Sequence, residues 1–507
     1  MKYKNFYAYL AGALCLFSTA CSDKHDNVDL VNLDKEIKSF KISANLNGLN
    51  SDVVGKIDNS SKTIILETDE WVDGMIFTPS FENEGVLTVN GIVQRDGMDA
   101  HDFENDVIYT ITTEDGSSQR FTVIFESPIK SGLPVVKIDI NNGKEITEKV
   151  SAYENAYIKV IDKKNPQYSF ETEVGVRGRG NTTWTYPKKP WRIKFDKKTS
   201  MLGFGAAKSW VLLANYQDQT LMINTTAFEM ARRLGLEYTN TSNHVELYLN
   251  GTYRGSYDLT QQIQTGENRI DIDENEGFLV EMDLNYDEDW QFKTKHLSLP
   301  VMVKTPDITT ASQMIFVENA INNLEETLFS SSFPNNNYRD LIDIESVINY
   351  IIVNEVSFNL EIGYPKSVFM YRDKGKKIKM GPVWDLDWGF GFNYEVDNAI
   401  YFTPSPKLAF PNRTSHMGHS FLARFFDDPE FCRQYKERWN AVKSNELNLD
   451  SFIDETCAKI YKSQLWNIKR WGIFCNMPEY DPNVEMARMK EWIRNRINSI
   501  DPFINNL

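Results

Sequence analysis

Two carboxylates stand two residues apart, Asp385 and Asp387, in the stretch Gly381-Pro382-Val383-Trp384-Asp385-Leu386-Asp387-Trp388-Gly389-Phe390-Gly391. If 383–387 is extended, both point to one side, because side chains alternate along a strand. Gly389 and Gly391 then let the chain turn sharply away. Two convergent carboxylates are what a magnesium site needs when a substrate's phosphates supply the other ligands. The same spacing also fits an aspartate-rich turn in which one carboxylate caps a loop.

A second constellation is basic. Val176-Arg177-Gly178-Arg179-Gly180-Asn181-Thr182-Thr183-Trp184 is a turn punctuated by glycine, and Lys188-Lys189-Pro190-Trp191-Arg192-Ile193-Lys194-Phe195 follows it. In the second segment Trp191, Ile193 and Phe195 share one face of a strand, and Arg192 and Lys194 share the other. Backbone N–H groups in a loop, followed by cations on a rigid strand, can hold polyphosphate. An ordinary hairpin with a solvated basic face has the same pattern.

Taken with Leu212-Leu213-Ala214-Asn215-Tyr216-Gln217-Asp218, Tyr253-Arg254-Gly255-Ser256-Tyr257 and Gly277-Phe278-Leu279-Val280-Glu281-Met282-Asp283, these segments resemble the CotH family of kinase-like proteins. The likeness covers roughly residues 133–500, and its ordered blocks are together far more specific than any one. The resemblance implies a kinase-like, bilobal α+β domain over 133–505, using ATP with magnesium or manganese to phosphorylate exported or cell-surface proteins. Phosphoryl transfer needs cations on the phosphates, a metal held by carboxylates, and a group that orients the attacking hydroxyl. Asp385 and Asp387 are then the metal ligands, with Asp385 also catalytic. Arg177, Arg179, Asn181, Arg192, Lys194 and Glu281 are the nucleotide-binding set. Lys194 is expected to grip phosphate, placed by Glu229 or Asp218. Glu281 and Asp283 either line the same cleft or are solvated carboxylates at a strand end.

Three positions depart from the family pattern. Glu361 stands where an aspartate commonly acts as catalytic base, and a misplacement of about an ångström can cost ~10²-fold in rate. Gln261 replaces a glutamate and cannot take a proton or bind magnesium strongly. Ile223 replaces an arginine, on what reads as the apolar stripe of a helix. Two functions therefore stay open: a kinase, weakened or intact, and a surface-anchored binding or scaffold protein with a vestigial kinase fold.

The elements that must position these residues follow from pattern and composition. A chain of 507 residues holds two or more domains. Its net charge of −16 argues against nucleic acid as a general partner. Residues 1–21 read as a lipoprotein signal: Lys2 and Lys4, an apolar run over 6–17, then Ser18-Thr19-Ala20-Cys21 as a lipid-attachment box, a plain secretory signal being the alternative. A lipid on Cys21 would tether the chain to the bacterial cell envelope, with 22–34 as a polar spacer. Residues 35–128 alternate with period two and carry turns at Asn90-Gly91 and Asp115-Gly116, the pattern of an immunoglobulin-like sandwich. A linker is expected at 128–134. Strands and one helix capped by Asp218 follow, and helices dominate from about 310, at 343–356, 421–442 and 484–503. Cys432, Cys457 and Cys475 allow one disulfide or buried thiols. His416 and His419 have metal-pair spacing but no clear carboxylate partner, and no G-x-S-x-G or H-E-x-x-H motif is present.

Overall fold

A computed structural model describes residues 35–393, 395, 400–410, 416–472 and 480–507. The signal, the spacer, Cys21 and Cys475 lie outside the described residues. The N-terminal region is all-β. Strand Ile37–Ile42 pairs with Val53–Val54 and Pro79–Asn83, while Ser118–Glu126 and Val107–Thr112 are central in a six-stranded sheet. Alternation decides which face is buried: Val107, Tyr109 and Ile111 turn inward from one strand, and Phe121, Val123 and Phe125 from the next. The two sheets meet through Phe40 and Tyr109, whose rings lie edge to face at 5.1 Å. Asn90 and Gly91 both have positive φ, 52° and 79°, as a two-residue hairpin turn requires.

The stretch expected as a linker is not a free tether. Ile129, Leu133 and Val135 are buried, and the sandwich core continues into Tyr248, Tyr253 and Trp466 of the following region. Trp71 packs on Tyr248 at 5.2 Å, and Lys469 pairs with Glu67 at 2.5 Å. An apolar contact of this kind fixes the sandwich against its neighbour rather than leaving it a loose spacer.

The C-terminal region mixes α and β. Its first part is a closed seven-stranded barrel, in the order Val135–Ile140, Glu154–Ile161, Phe170–Gly178, Trp191–Thr199, Ala207–Leu213, Thr252–Gln261, Ser242–Leu249. The ring closes where Val135–Ile140 runs parallel to Ser242–Leu249. Trp191, Ile193 and Phe195 fill the interior, so Arg192 and Lys194 face outward. A five-stranded sheet follows, with Phe278–Met282 at its centre between Pro300–Thr305 and Val368–Arg372.

Helices cover this sheet. Met222, not the expected Asp218, takes the N-cap position of Ile223–Arg233; Asp218 lies in the preceding turn and accepts hydrogen bonds from the N–H of Thr220 and of Ile223, both at 2.8 Å. The helix expected over 421–442 is interrupted. Met417–Ala423 ends, Arg424–Asp427 makes a tighter turn, and Asp428 caps Pro429–Val442. Asp428-Pro429 is a cap followed by a proline at the first helical position, which starts a new helix rather than continuing an old one. The long helix Asp450–Trp471, which the sequence reading did not single out, joins the barrel to the sandwich.

One fully buried ion pair ties the helical part together. Arg496, in Pro482–Asn505, meets Glu355, in Ile344–Ser357, at 2.5 Å. Glu355 also accepts from the N–H of Ala409 and of Phe410, both at 2.8 Å. Arg496 donates to the carbonyls of Glu355, Ser405 and Lys407 as well. Removing one partner leaves an uncompensated buried charge. Arg496→Met should lower stability by about 3–5 kcal/mol, read as a shift in the urea midpoint. Glu355→Leu with Arg496→Met should recover only part of that, because the N–H groups of Ala409 and Phe410 stay unpaired.

Candidate functional site

A cleft of about 520 Å³ lies between the outer face of the barrel and the sheet-and-helix part. That volume is in the range of small-molecule sites, ~300–1,000 Å³. Asp385, Asp387, Glu361, Glu281, Asp283, Arg177, Arg179, Asn181 and Arg192 all line it.

The aspartates converge by a route the spacing did not foretell. Residues 381–386 are irregular rather than a strand, and Asp385 has φ of 62°. Their placement comes from Asn224, near the start of the helix Ile223–Arg233. Its amide oxygen accepts from the Leu386 N–H at 3.0 Å, and its nitrogen donates to Asp387 Oδ1 at 2.7 Å. Asn215 Oδ1 lies 3.5 Å from the same nitrogen, and Asn215 takes φ of 47°, which asparagine tolerates well. The Tyr401 hydroxyl donates to the Asp387 carbonyl at 2.8 Å. The block from Leu212 to Asp218 thus builds the helix start and the support for the aspartate loop.

Glu361 sits on the turn Leu360–Ile362, capped by Asn359, whose side-chain oxygen accepts from the Glu361 N–H at 3.2 Å. Lys366 Nζ lies 3.7 Å from it. Burial pushes the Glu361 carboxyl up to about 9, with the negative charge of Asp385 adding to the effect and Lys366 opposing it. Burial pushes Asp387 up to about 7, again with Asp385 adding. Asp385 is raised by burial and pulled back by Arg179. Asp283 accepts from the N–H of Asn285 at 2.7 Å and of Ser367 at 3.1 Å, which pins two loops at the cleft wall.

The opposite side is cationic. Arg177 and Arg192 are direct partners across two barrel strands, an arrangement of like charges that costs stability unless something negative lies between them. Arg177 donates to the Ser151 carbonyl at 3.0 Å and lies over the Tyr153 ring. Both guanidinium Nε atoms are buried without a hydrogen-bond partner. Arg179 lies over Trp384 at 5.6 Å. Burial lowers its pKa while Asp385 raises it, so it links the two halves. Asn181 accepts from Lys149 at the rim.

Lys194 does not line this cleft. It is exposed, with its ammonium over the Tyr153 ring at 5.5 Å. The pleat that brings Arg192 to the cleft carries Lys194 two residues, roughly 6–7 Å, farther along the strand. Neither expected partner reaches it: Glu229 binds Arg232 and Arg233, and Asp218 accepts from the Thr220 and Ile223 N–H groups. Lys188 lines the cleft, but its ammonium donates to the Ser256 carbonyl and to Asn467, and burial lowers it to about 7.

Three cations that line the cleft went unread in the sequence, Lys149, Lys304 and Lys366. Lys304 pairs with Glu281 at 3.1 Å and with Glu288. It is the one charged residue in the buried strand Pro300–Thr305, and a lone lysine in an apolar strand is the signal that could have found it.

Gln261 is not a lining residue. Its amide ties the barrel strand to Thr241, accepting from the Thr241 N–H at 2.8 Å and donating to its hydroxyl at 2.6 Å. Ile223 is core. The rings of His416 and His419 are 6.2 Å apart beside the Glu361 turn. Cys432 and Cys457 are free thiols.

Among the described residues no three His, Cys, Asp or Glu side chains form a group that could hold a metal ion by themselves. A buried carboxylate pair at raised pKa fits a cation that takes its other ligands from water and phosphate, as magnesium does.

Residues 176–500 match the family model described as CotH kinase protein, and residues 37–124 match that described as SGBP, N-terminal. No curated protein matches the chain. Among solved structures, a candidate glycoside hydrolase from Bacteroides thetaiotaomicron is 13% identical, covering 56% of this chain and 77% of that one. Its TM-score of 0.16 is too low to bear on fold or chemistry.

The Asn224 clamp gives a direct test of how the aspartates are held. Asn224→Ala strips a partner from the buried Leu386 N–H and from Asp387. It should cost about 1–3 kcal/mol for each group left unsatisfied, read from thermal or urea unfolding. Asn224→Asp should cost more, because it adds a carboxylate beside two already raised by crowding.

Proposed function

From the premise that the chain belongs to the CotH kinase family, we propose that it is a metal-dependent phosphotransferase using ATP to phosphorylate exported or cell-surface proteins. The observation that carries this reading is one cleft with Arg177, Arg179 and Arg192 on one side and Asp385, Asp387 and Glu361 on the other. The barrel and the sheet-and-helix part are taken as the two lobes of a kinase-like domain, and the N-terminal sandwich as immunoglobulin-like. Attachment through a lipid on Cys21 would place the cleft at the cell envelope.

In this mechanism Arg177, Arg179 and Arg192 grip the phosphates and hold them for in-line attack. Asp385 and Asp387 are the residues that would hold magnesium or manganese, which when bound offsets the charge of the phosphate oxygens. Asn224 fixes the angle of Asp387. Glu361 is the group placed to take the proton of the attacking hydroxyl; burial and Asp385 keep most of it protonated at neutral pH, so only its ionised fraction can act, a fraction that Lys366 favours and that grows as pH rises. Gln261, which the sequence reading took as a lost catalytic carboxylate, no longer weighs against activity, since it lies outside the cleft lining.

A second reading is a binding or scaffold protein with a pseudokinase fold. It is favoured by the extra methylene of Glu361 and by the appended sandwich.

Incubation with labelled ATP and Mg²⁺ or Mn²⁺ separates them. The kinase reading expects labelling of the chain itself or of an envelope extract, lost in Asp387→Ala. No labelling, or equal labelling by Asp387→Ala, counts against it. Glu361→Gln should abolish turnover while keeping the stabilisation by Mg-ATP in a thermal-shift titration, and Glu361→Asp should keep or raise turnover. A thermal shift without any labelling points to a nucleotide-binding pseudokinase, and no shift at all to a scaffold.

A further inference from the structure

Lys304 lies between two carboxylates of unequal standing. Glu281 belongs to the strand Phe278–Met282, is fixed by the sheet on both sides, and its side chain is 12% exposed. Glu288 belongs to the loop between that strand and Gln291–Lys293, and its side chain is 45% exposed. One is a buried anchor; the other is held from the solvent side by a partner it can exchange.

Glu288 lines the same cleft as Arg192, whose Nε has no hydrogen-bond partner. Arg192 in turn stands opposite Arg177. A carboxylate and a phosphate offer lysine and arginine the same kind of oxygen acceptor. Glu288 therefore holds one cation of the cleft, Lys304, from the side where a ligand phosphate would find it.

We propose that Glu288 is an internal anion that occupies the phosphate end of the cleft and is displaced by an incoming polyphosphate, while Lys304 stays on Glu281. The assignment rests on the nucleotide reading above for the identity of the ligand, though not for the existence of the displacement. It makes Glu281 and Glu288 opposite in effect. Glu281 positions the lysine for the ligand, and Glu288 competes with the ligand for it. Partly exposed ion pairs are weak, so the competition is worth a modest factor, about two- to five-fold in affinity.

The experiment titrates the full chain, Glu288→Gln and Glu281→Gln with Mg-ATP by calorimetry, at low and high salt. Inorganic tripolyphosphate serves as a second probe. Glu288→Gln should bind Mg-ATP about two- to five-fold tighter than the parent, with the gain shrinking as salt rises. Glu281→Gln should bind more weakly. Neutralising any carboxylate near the cleft would by itself favour a polyanion, so the opposite sign expected for Glu281→Gln is what separates displacement from that general effect. Mg-ATP bound equally well, or less well, by Glu288→Gln overturns the proposal and leaves the nucleotide reading standing. If Mg-ATP binds neither chain but tripolyphosphate binds Glu288→Gln more tightly, the nucleotide reading falls and the displacement stands. If neither probe binds either chain, both fall.

Discussion

Crowding of buried charge in one cleft is the constraint on which the rest of this structure depends. Five carboxylates and several cations are drawn together between the barrel and the helices, and burial disfavours the charged forms of Glu361, Asp385, Asp387, Glu281, Asp283 and Arg179. Such an arrangement holds only if each side chain is fixed well enough that opposite charges meet and like charges do not. Asn224 fixes the aspartate loop, Asp283 pins the loops at 285 and 367, and Glu281 holds Lys304. None of these supports is itself unusual. Together they spend stabilising hydrogen bonds on holding an unfavourable cluster, as expected where a charged ligand completes the balance.

Much of the local structure was legible because it is written in short-range pattern. The Asn90-Gly91 hairpin needs two positive φ values, and few dipeptides supply them so readily. The inward set Trp191, Ile193 and Phe195 follows from period two alone. The helix Ile223–Arg233 follows from its apolar stripe, but Met222 and not Asp218 is its cap residue; Asp218 reaches the helix start from the preceding turn. Closure of the barrel was not legible, because it depends on Val135–Ile140 meeting Ser242–Leu249 more than a hundred residues away, and no local signal marks that register.

The site was legible as a set of residue types and less so as geometry. Asp385 and Asp387 line one cleft, but a left-handed residue and a helix amide bring them there rather than a strand. Arg192 and Lys194 share a face as the pattern implied. Sharing a face says nothing of how far along the strand a cleft extends, and this is where the reading of Lys194 failed. Lys304 could have been singled out as the lone charge in an apolar strand, but its pairing with Glu288, a loop residue that no periodicity places, could not.

Closure of the barrel also has a mechanical side. A sheet joined to itself has no edge along which strands can slide, so the wall that carries Arg177 and Arg192 keeps its curvature whatever enters beside it. The sandwich braces the far side of that ring, at Val135, Tyr248 and Tyr253. Any breathing of the cleft then falls to its other jaw and to the loops at its rim. Shape is dictated on one side and negotiated on the other, as with an anvil and a hammer.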